Sequence, residues 1–248
     1  MNLTLLKRFA FCLCCAFACA AITISPASAQ ETILRRASTQ TAQSKSVEQQ
    51  SKKSNARPSD ATSTNARKSE PFDGATIAQM NERCVALETD VGLVEIEMLA
   101  EAAPETVRNF LNLTAMGAFD TTTFSRVVKG FVIQGGNPAT SEKWNAELSE
   151  RARRTIPDEP NYVKHVRGIV SMARPNEPHS ATTNFFILVS DASYLDGTFA
   201  AFGRVVQGMD VVDRINAAPT ENEKPNNPVR IKRAAVAPCV NLPTNKER

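Results

Sequence analysis

Apolar and polar residues alternate in short runs over the C-terminal two-thirds of the chain, and this pattern predicts β-strands. In residues 93–98 apolar side chains alternate with Glu95 and Glu97, which is the period of a half-buried strand. A turn at 90–92 separates this run from another at 84–89. Six further short runs, divided by turn residues, are predicted as strands: 123–128, 131–134, 168–173, 185–189, 202–206 and 229–236.

Two segments carry the period of a helix instead. After Pro104, which suits the first turn of a helix, apolar residues recur every three or four positions as far as Gly117. A second apolar stripe runs through 208–216. Many short strands with two helices favour a mainly β fold with a closed or strongly curved antiparallel sheet, rather than alternating β–α–β units.

The first 29 residues have the layout of a secretory signal peptide. Lys7 and Arg8 precede a nearly unbroken apolar run, and a small-x-small cleavage site ends at Ala29. Two alternatives are an uncleaved N-terminal anchor and a lipoprotein with its lipid on Cys19. Cleavage after Ala29 leaves 219 of the 248 residues and removes two basic residues but no acidic one, so the formal net charge falls from +3 to +1.

The net charge and the hydropathy of the chain after cleavage predict which partners and which compartment it has. A net charge near zero, without a clustered basic face, predicts no nucleic-acid partner. No apolar run after residue 30 is long enough to span a bilayer, which takes about 20 residues, so no membrane span is expected after cleavage. Because of the signal peptide, the protein is expected to be exported, to a periplasm or to the medium.

Residues 30–80 are rich in Ser, Thr, Gln and Lys and contain few large apolar side chains. Such a segment cannot bury enough surface to offset the cost of ordering the chain, roughly 1–2 kcal/mol per residue, so it is predicted to be a disordered linker. The alternative is a basic arm for a polyanionic cell envelope, although acidic residues interrupt its Lys and Arg. The folded domain is predicted at 81–240, followed by a C-terminal tail at 241–248.

The sequence does not carry the motifs of covalent, metal or phosphate chemistry. His165 and His179 stand fourteen positions apart, with the cysteines far away, so no metal and no other cofactor is predicted. No G-x-S-x-G motif accompanies either histidine, and His165 is predicted to be a hydrogen-bonded residue at a strand edge. The pair at 135–136 is predicted to be a tight glycine turn, not part of a nucleotide-binding loop.

Three separated segments combine phenylalanine, methionine and amide residues. They are FSRVVKGFVIQGG at 124–136, GIVSMAR at 168–174 and NFFILV at 184–189, the last followed by YLDGTFAAFG at 194–203. In order and spacing they resemble the cyclophilin family of peptidyl-prolyl cis-trans isomerases, and the resemblance spans about 85–236. It implies an eight-stranded antiparallel closed barrel capped by two helices, and an enzyme that accelerates rotation about Xaa-Pro bonds without a covalent intermediate.

The resemblance also implies roles for individual residues. Arg126, Gln134 and Phe131 match the catalytic positions: a donor aimed at the prolyl nitrogen and carbonyl region, the amide that positions it, and a wall of the proline pocket. The alternatives are a surface ion pair for Arg126 and a turn amide at a strand end for Gln134. The residues that match substrate-binding positions are Val132, Met172, Ala173, Arg174, Asn184, Phe186, Tyr194, Leu195 and Phe199.

Several of these residues depart from the usual pattern of the family. Asn184 is one methylene shorter than the common Gln, Phe199 replaces a common His, and Tyr194 replaces a frequent Trp, a change that the family associates with weak cyclosporin binding. Ser125 replaces a His. None of these changes removes Arg126, Phe131 or Gln134, so activity is expected, with an altered rate or residue preference before proline. For Met172, pocket and core are predicted equally.

Four of the six cysteines fall in the signal peptide, which leaves Cys84 and Cys239. Cys84 opens the first predicted strand and Cys239 follows the last. In a closed barrel the terminal strands lie side by side, so a disulfide between these residues is predicted, as is common in exported proteins.

Two functions from different classes remain open on the sequence alone. The first is a prolyl isomerase that acts on proline-containing unfolded or flexible polypeptides during the folding of exported proteins. The second is a non-catalytic module that holds proline-containing segments of an envelope partner. The signal peptide opposes a third, an intracellular isomerase in a large complex, and nothing in the sequence requires more than a monomer.

Overall fold

The structure is a computed structural model and describes residues 68–239. The predicted signal peptide, most of the predicted linker and the predicted tail lie outside the described residues. The α-helices are α1 (Ile77–Asn81), α2 (Pro104–Ala115), α3 (Ala146–Ala152) and α4 (Met209–Asn216). The strands are β1 (Arg83–Thr89), β2 (Gly92–Met98), β3 (Arg126–Val128), β4 (Val132–Gly135), β5 (Ile169–Met172), β6 (Phe185–Leu188), β7 (Ala201–Gln207), β8 (Thr220–Glu221), β9 (Lys224–Pro225) and β10 (Ile231–Pro238).

Eight strands form one antiparallel sheet in the order β10-β1-β2-β7-β5-β6-β4-β3, and β8 and β9 form a separate hairpin. The predicted strand number and antiparallel pairing are confirmed, but the predicted closure is not. Within residues 68–239 the edge strands β3 and β10 share no ladder, and an isolated bridge joins Thr123 to Arg230. Because β3 is only three residues long and its Val127 amide donates to the Glu223 carbonyl (2.8 Å), the sheet ends as a curled half-barrel.

Alternate residues of the central strands enter two different apolar clusters. On β6, Phe185 and Ile187 belong to the main core, whereas Phe186 and Leu188 belong to a second cluster on the opposite face. The main core is rich in phenylalanine: the ring of Phe110 on α2 lies 5.3 Å from that of Phe185, edge to face. The second cluster is smaller, and its open side becomes the candidate site.

Both predicted helices are present, as α2 and α4. Pro104 stands in the first turn of α2, where the Glu159 carboxylate accepts hydrogen bonds from the amides of Glu105 (3.0 Å) and Thr106 (2.7 Å). Helices α1 and α3 were not predicted, because segments of five and seven residues are too short to show a helical period. No helix within residues 68–239 has both the length and the apolar character needed to cross a bilayer.

Residues 68–80 pack against the domain, although the sequence analysis assigned them to the linker. Met80 is fully buried, and the Phe72 amide donates to Asn112 Oδ1 at 2.8 Å. Arg108 of α2 donates to the Phe72 carbonyl. Backbone groups make most of these contacts, and amino-acid composition does not reveal such contacts. The packed part therefore begins upstream of the predicted boundary at residue 81.

The two ends of the domain are joined covalently. Cys84 and Cys239 form a disulfide with their Cα atoms 4.9 Å apart, inside the usual range of roughly 4.4–6.8 Å. The bond stands at the end of the β1–β10 ladder, where Arg83 pairs with Pro238. The disulfide expected from the sequence is thus confirmed.

Candidate active site

The candidate active site lies where β3, β4 and β6 run side by side. The antiparallel register places Arg126 of β3 opposite Gln134 of β4, and Gln134 opposite Phe186 of β6. Residues directly opposite each other in antiparallel strands project to the same face of the sheet. Pairing of the strands therefore brings Phe186 onto the same face as Arg126 and Gln134, which precede it by more than 50 positions.

The Arg126 guanidinium is held from two sides. Its Nη1 donates to Gln134 Oε1 at 3.3 Å, and its Nε donates to Glu223 Oε2 at 2.7 Å. An arginine side chain stays charged at any working pH and carries five N–H donors in one plane. The donors that Gln134 and Glu223 do not use are available to a ligand, since the side chain is 43% exposed.

An apolar depression of about 240 Å³ opens beside Arg126. Val132, Phe186 and Leu195 are buried and form its floor. The ring of Phe199 meets that of Phe186 edge to face at 5.8 Å. A small apolar ring bound here would gain from burial, about 25 cal/mol per Å². The residues that line the depression are Arg126, Phe131, Val132, Gln134, Ala173, Arg174, Phe186, Tyr194, Leu195 and Phe199.

Two of the predicted substrate-binding residues lie outside this depression. Met172 is buried in the main core, because its side chain projects to the other face of β5. Asn184 lines a neighbouring, more polar depression of about 480 Å³, together with Asn137 and Ser180. Gln134 lines both depressions, so the two lie next to each other.

Ala173 and Arg174 form the wall between the two depressions. The Ala173 amide donates to the Asn184 carbonyl at 2.9 Å, so this amide is not available to pair with a substrate backbone. The Arg174 guanidinium is paired with Asp158 (3.2 Å) and lies 5.8 Å from the centre of the Phe199 ring. Arg174 therefore supports the rim of the apolar depression.

A buried chain of hydrogen bonds stands behind the floor of the site. His165 Nδ1 lies 3.1 Å from Asp196 Oδ1, and its Nε2 lies 2.8 Å from Ser171 Oγ. An ionised carboxylate can only accept, so Nδ1 carries a hydrogen, and in the neutral imidazole Nε2 then accepts from the Ser171 hydroxyl. The order Asp–His–Ser is that of a hydrolase triad, but Ser171 and His165 are fully buried and the hydroxyl has no access to a substrate. The chain fixes the turn that carries Leu195.

The Asp196 carboxylate makes the fold sensitive to acid. The hydrogen bond from the His165 amide (2.8 Å), followed by that from the Lys164 ammonium (3.1 Å), lowers the pKa of Asp196 below its ordinary value. A folded-state pKa below the unfolded one stabilises the fold at neutral pH, and this contribution is lost as the pH falls through the folded-state pKa.

We therefore expect Asp196→Asn to be less stable than the wild type at neutral pH. The difference in melting temperature should narrow as the pH is lowered from about 5 toward 2, because the wild-type carboxyl group is then protonated as well. Thermal unfolding followed by circular dichroism across this range measures it. A difference in melting temperature that stays constant with pH would contradict the lowered pKa of Asp196.

The other histidine and the remaining carboxylates of the described residues are not arranged as metal ligands. Within residues 68–239, no three His, Cys, Asp or Glu side chains come together as a ligand set. His179 Nδ1 accepts a hydrogen bond from the Asp158 amide at 2.9 Å.

Glu223 is a site residue that the sequence analysis missed. It stands in the short turn between β8 and β9, where neither an apolar period nor a motif marks it. The only available signal is an acidic residue in a polar segment, which is typical of any solvated turn.

Comparisons with known proteins agree with this arrangement. Residues 84–236 match the family described as cyclophilin type peptidyl-prolyl cis-trans isomerase/CLD. The chain is 35% identical over 166 residues to peptidyl-prolyl cis-trans isomerase A of Dickeya dadantii (strain 3937), a match that covers 61% of this chain and 83% of that protein. It is 37% identical over 157 residues to peptidyl-prolyl cis-trans isomerase cypE of Dictyostelium discoideum, which covers 62% of this chain and 98% of that protein.

The solved structures include a close match in fold. A cyclophilin type peptidyl-prolyl cis-trans isomerase of Cryptosporidium parvum, crystallised in the presence of the dipeptide Ala-Pro, is 30% identical and superposes with a TM-score of 0.54. The superposition covers 64% of this chain and 99% of that structure. With a family match over more than half of its length, the chain belongs to the cyclophilin-type peptidyl-prolyl cis-trans isomerases.

Proposed function

We propose that this protein accelerates cis–trans rotation of Xaa-Pro bonds during the folding of exported proteins, with the Arg126 guanidinium directed at the prolyl nitrogen and carbonyl. The observation that carries this proposal is the position of Arg126, held by Gln134 at the edge of the apolar depression. This arrangement offers charged donors next to a slot of a size suited to a proline ring.

The chemistry of the rotation requires no nucleophile. Conjugation of the prolyl nitrogen with the carbonyl gives an Xaa-Pro bond a barrier of about 18–20 kcal/mol, and uncatalysed exchange takes tens to hundreds of seconds. In the twisted state the nitrogen lone pair leaves conjugation and becomes a hydrogen-bond acceptor. An N–H group of Arg126 directed at that nitrogen binds the twisted state more tightly than either planar isomer, which lowers the barrier.

The apolar depression is proposed to hold the proline ring while the rest of the peptide turns. Phe131 and Phe199 stand at its rim, and Val132 and Leu195 close its floor. The structure from Cryptosporidium parvum was obtained in the presence of Ala-Pro, and we propose that proline-containing segments of unfolded or flexible polypeptides bind in the apolar depression of this chain.

Two features support export. The first 29 residues have the charge and hydropathy pattern of a signal peptide. Cys84 and Cys239 form a disulfide, and such bonds persist in oxidising compartments. We propose that the protein acts as a monomer in a periplasm or in the medium.

Exchange spectroscopy tests the proposed activity. The full-length chain is added in catalytic amounts to an Ala-Pro-Phe peptide, and the cis–trans exchange rate is measured by two-dimensional NMR. Exchange that becomes faster in proportion to protein concentration supports the isomerase. Shifted or broadened peptide signals without faster exchange would contradict it and favour the alternative, a module that binds proline-containing segments.

The rim of the depression leads to a separate prediction about cyclosporin, which we propose binds the wild type weakly. Tyr194 is 69% exposed and lies 6.0 Å from Phe131, ring to ring. Tyr194→Trp enlarges the apolar contact and replaces the phenol O–H by an indole N–H donor, so we expect affinity for cyclosporin to rise on the order of tenfold. Calorimetric titration measures the Kd. Tyr162→Trp, at a 90% exposed position outside the depression, is the matched control, and equal affinity in both variants would contradict the prediction.

A further inference from the structure

The turn between β8 and β9 holds an acidic residue in an unfavourable backbone conformation. Asn222 and Glu223 have φ angles of 49° and 65°, in the left-handed region. Asparagine adopts this region fairly readily, whereas glutamate does so rarely, and glycine would adopt it without a steric penalty. The chain therefore places a carboxylate at a position where its backbone geometry favours glycine.

That carboxylate contacts the central residue of the candidate site. Glu223 Oε2 accepts a hydrogen bond from Arg126 Nε at 2.7 Å. The backbone of the same turn is anchored to β3, because the Glu223 carbonyl accepts from the Val127 amide at 2.8 Å. The carboxylate thus reaches Arg126 from a backbone position that is fixed relative to the neighbouring residue on β3.

Two contacts at different nitrogens determine the plane of a guanidinium group. Gln134 accepts a hydrogen bond from Nη1 of Arg126, and Glu223 accepts one from Nε. With one contact alone, the planar group could still rotate about its long, flexible stem. With both, the remaining N–H donors keep a constant direction, and a donor that is already oriented in the free protein loses less entropy when the substrate twists.

We propose that Glu223 is a positioning residue that orients Arg126 for the isomerase reaction. This inference rests on the proposed function, since it assigns Glu223 a role only through Arg126. Glu223 itself need not touch the substrate: its contact is with Nε, while the terminal N–H donors that Gln134 does not use remain for the bound peptide. The left-handed conformation of the turn is the structural cost of placing the carboxylate there.

Glu223→Gly is the sharpest test, because it removes the carboxylate and relieves the backbone at the same time. We expect the fold to keep its melting temperature while kcat for the Ala-Pro-Phe peptide falls on the order of threefold to tenfold, the scale of losing one partly exposed charge-assisted contact. The Kd of the peptide, measured by NMR titration, should stay unchanged. Glu223→Gln keeps an acceptor for Nε and should recover part of the loss.

Glu221→Ala is the matched control. Glu221 is an exposed acidic residue of the same hairpin, so its removal changes the net charge as Glu223→Gly does. We expect wild-type kcat in this variant. The Nε–H signal of Arg126 in ¹H–¹⁵N spectra should shift in Glu223→Gly and remain in place in Glu221→Ala.

The Arg126→Lys background separates this inference from the proposed function. Lysine has no Nε–H of the arginine type and no planar group to orient, so Glu223→Gly should change neither kcat nor the Kd of the peptide in that background. No acceleration of exchange by the wild type would overturn the proposed function, and full activity of Arg126→Lys would overturn the role that it gives to the Arg126 guanidinium. Reduced activity of Arg126→Lys with wild-type kcat in Glu223→Gly would overturn the positioning role alone. Equal losses from Glu223→Gly in both backgrounds would also overturn it.

Discussion

Replacing Arg126 with alanine is expected to lower the catalysed cis–trans exchange rate of an Ala-Pro-Phe peptide by roughly 10²–10³-fold, the loss typical of removing one oriented donor from a transition state. The guanidinium is the charged donor that Gln134 orients at the edge of the apolar depression. The floor of the depression is formed by Val132, Phe186 and Leu195, which the substitution leaves in place. Binding of the peptide should therefore weaken far less than the exchange rate falls.

The two quantities can be measured on the same samples. NMR exchange spectroscopy gives the rate, and chemical-shift titration gives the Kd of the peptide. Arg233→Ala is a suitable control, because Arg233 is an exposed arginine on β10, outside the residues that line the depression. An Arg126→Ala variant that keeps the wild-type exchange rate would show that another group stabilises the twisted bond.

The sequence predicts much of this site through the resemblance of its three motifs to the cyclophilin family, not through the strand pattern. The runs 131–133 and 185–189 are continuously apolar, so they predict strands without showing which side chains share a face, and the structure places Val132 and Phe186 on the second face. The two motifs at 124–136 and 184–189 meet through the β4–β6 ladder. The motifs are therefore sufficient where a single ladder carries the residues.

The rest depends on contacts that periodicity does not encode. Met172 matches a pocket position of the family motif, but the β5–β6 register pairs it with Phe185, so its side chain enters the main core. The half-barrel stays open because β3 is short and Val127 bonds to Glu223 of the hairpin. The ion pair between Glu223 and Arg126 joins residues separated by 97 positions through a turn without a motif.

Removing the disulfide is expected to lower the free energy of unfolding by about 2–5 kcal/mol. The bond between Cys84 and Cys239 closes a loop with a sequence separation of 155, which restricts the unfolded chain strongly. In the folded state the β1–β10 ladder already holds the two ends together, from Arg83–Pro238 to Thr89–Ile231. The effect should therefore arise mainly in the unfolded state, and the exchange rate measured well below the melting temperature should not change.

Urea unfolding of the double variant Cys84→Ala/Cys239→Ala, compared with the wild type, measures this loss of free energy of unfolding. Alanine is preferable to serine because Cys84 is 1% exposed and a hydroxyl there would be buried. A reductant should lower the stability of the wild type toward that of the variant and leave the variant unchanged, which separates the covalent bond from side-chain packing. Equal stabilities of variant and wild type, or two alkylated thiols in the unreduced protein by mass spectrometry, would contradict the prediction. Arg126 lies on β3, at the edge of the sheet opposite β10, so the exchange rate should not depend on the disulfide. A rate that fell along with stability would show that the terminal strands influence the site.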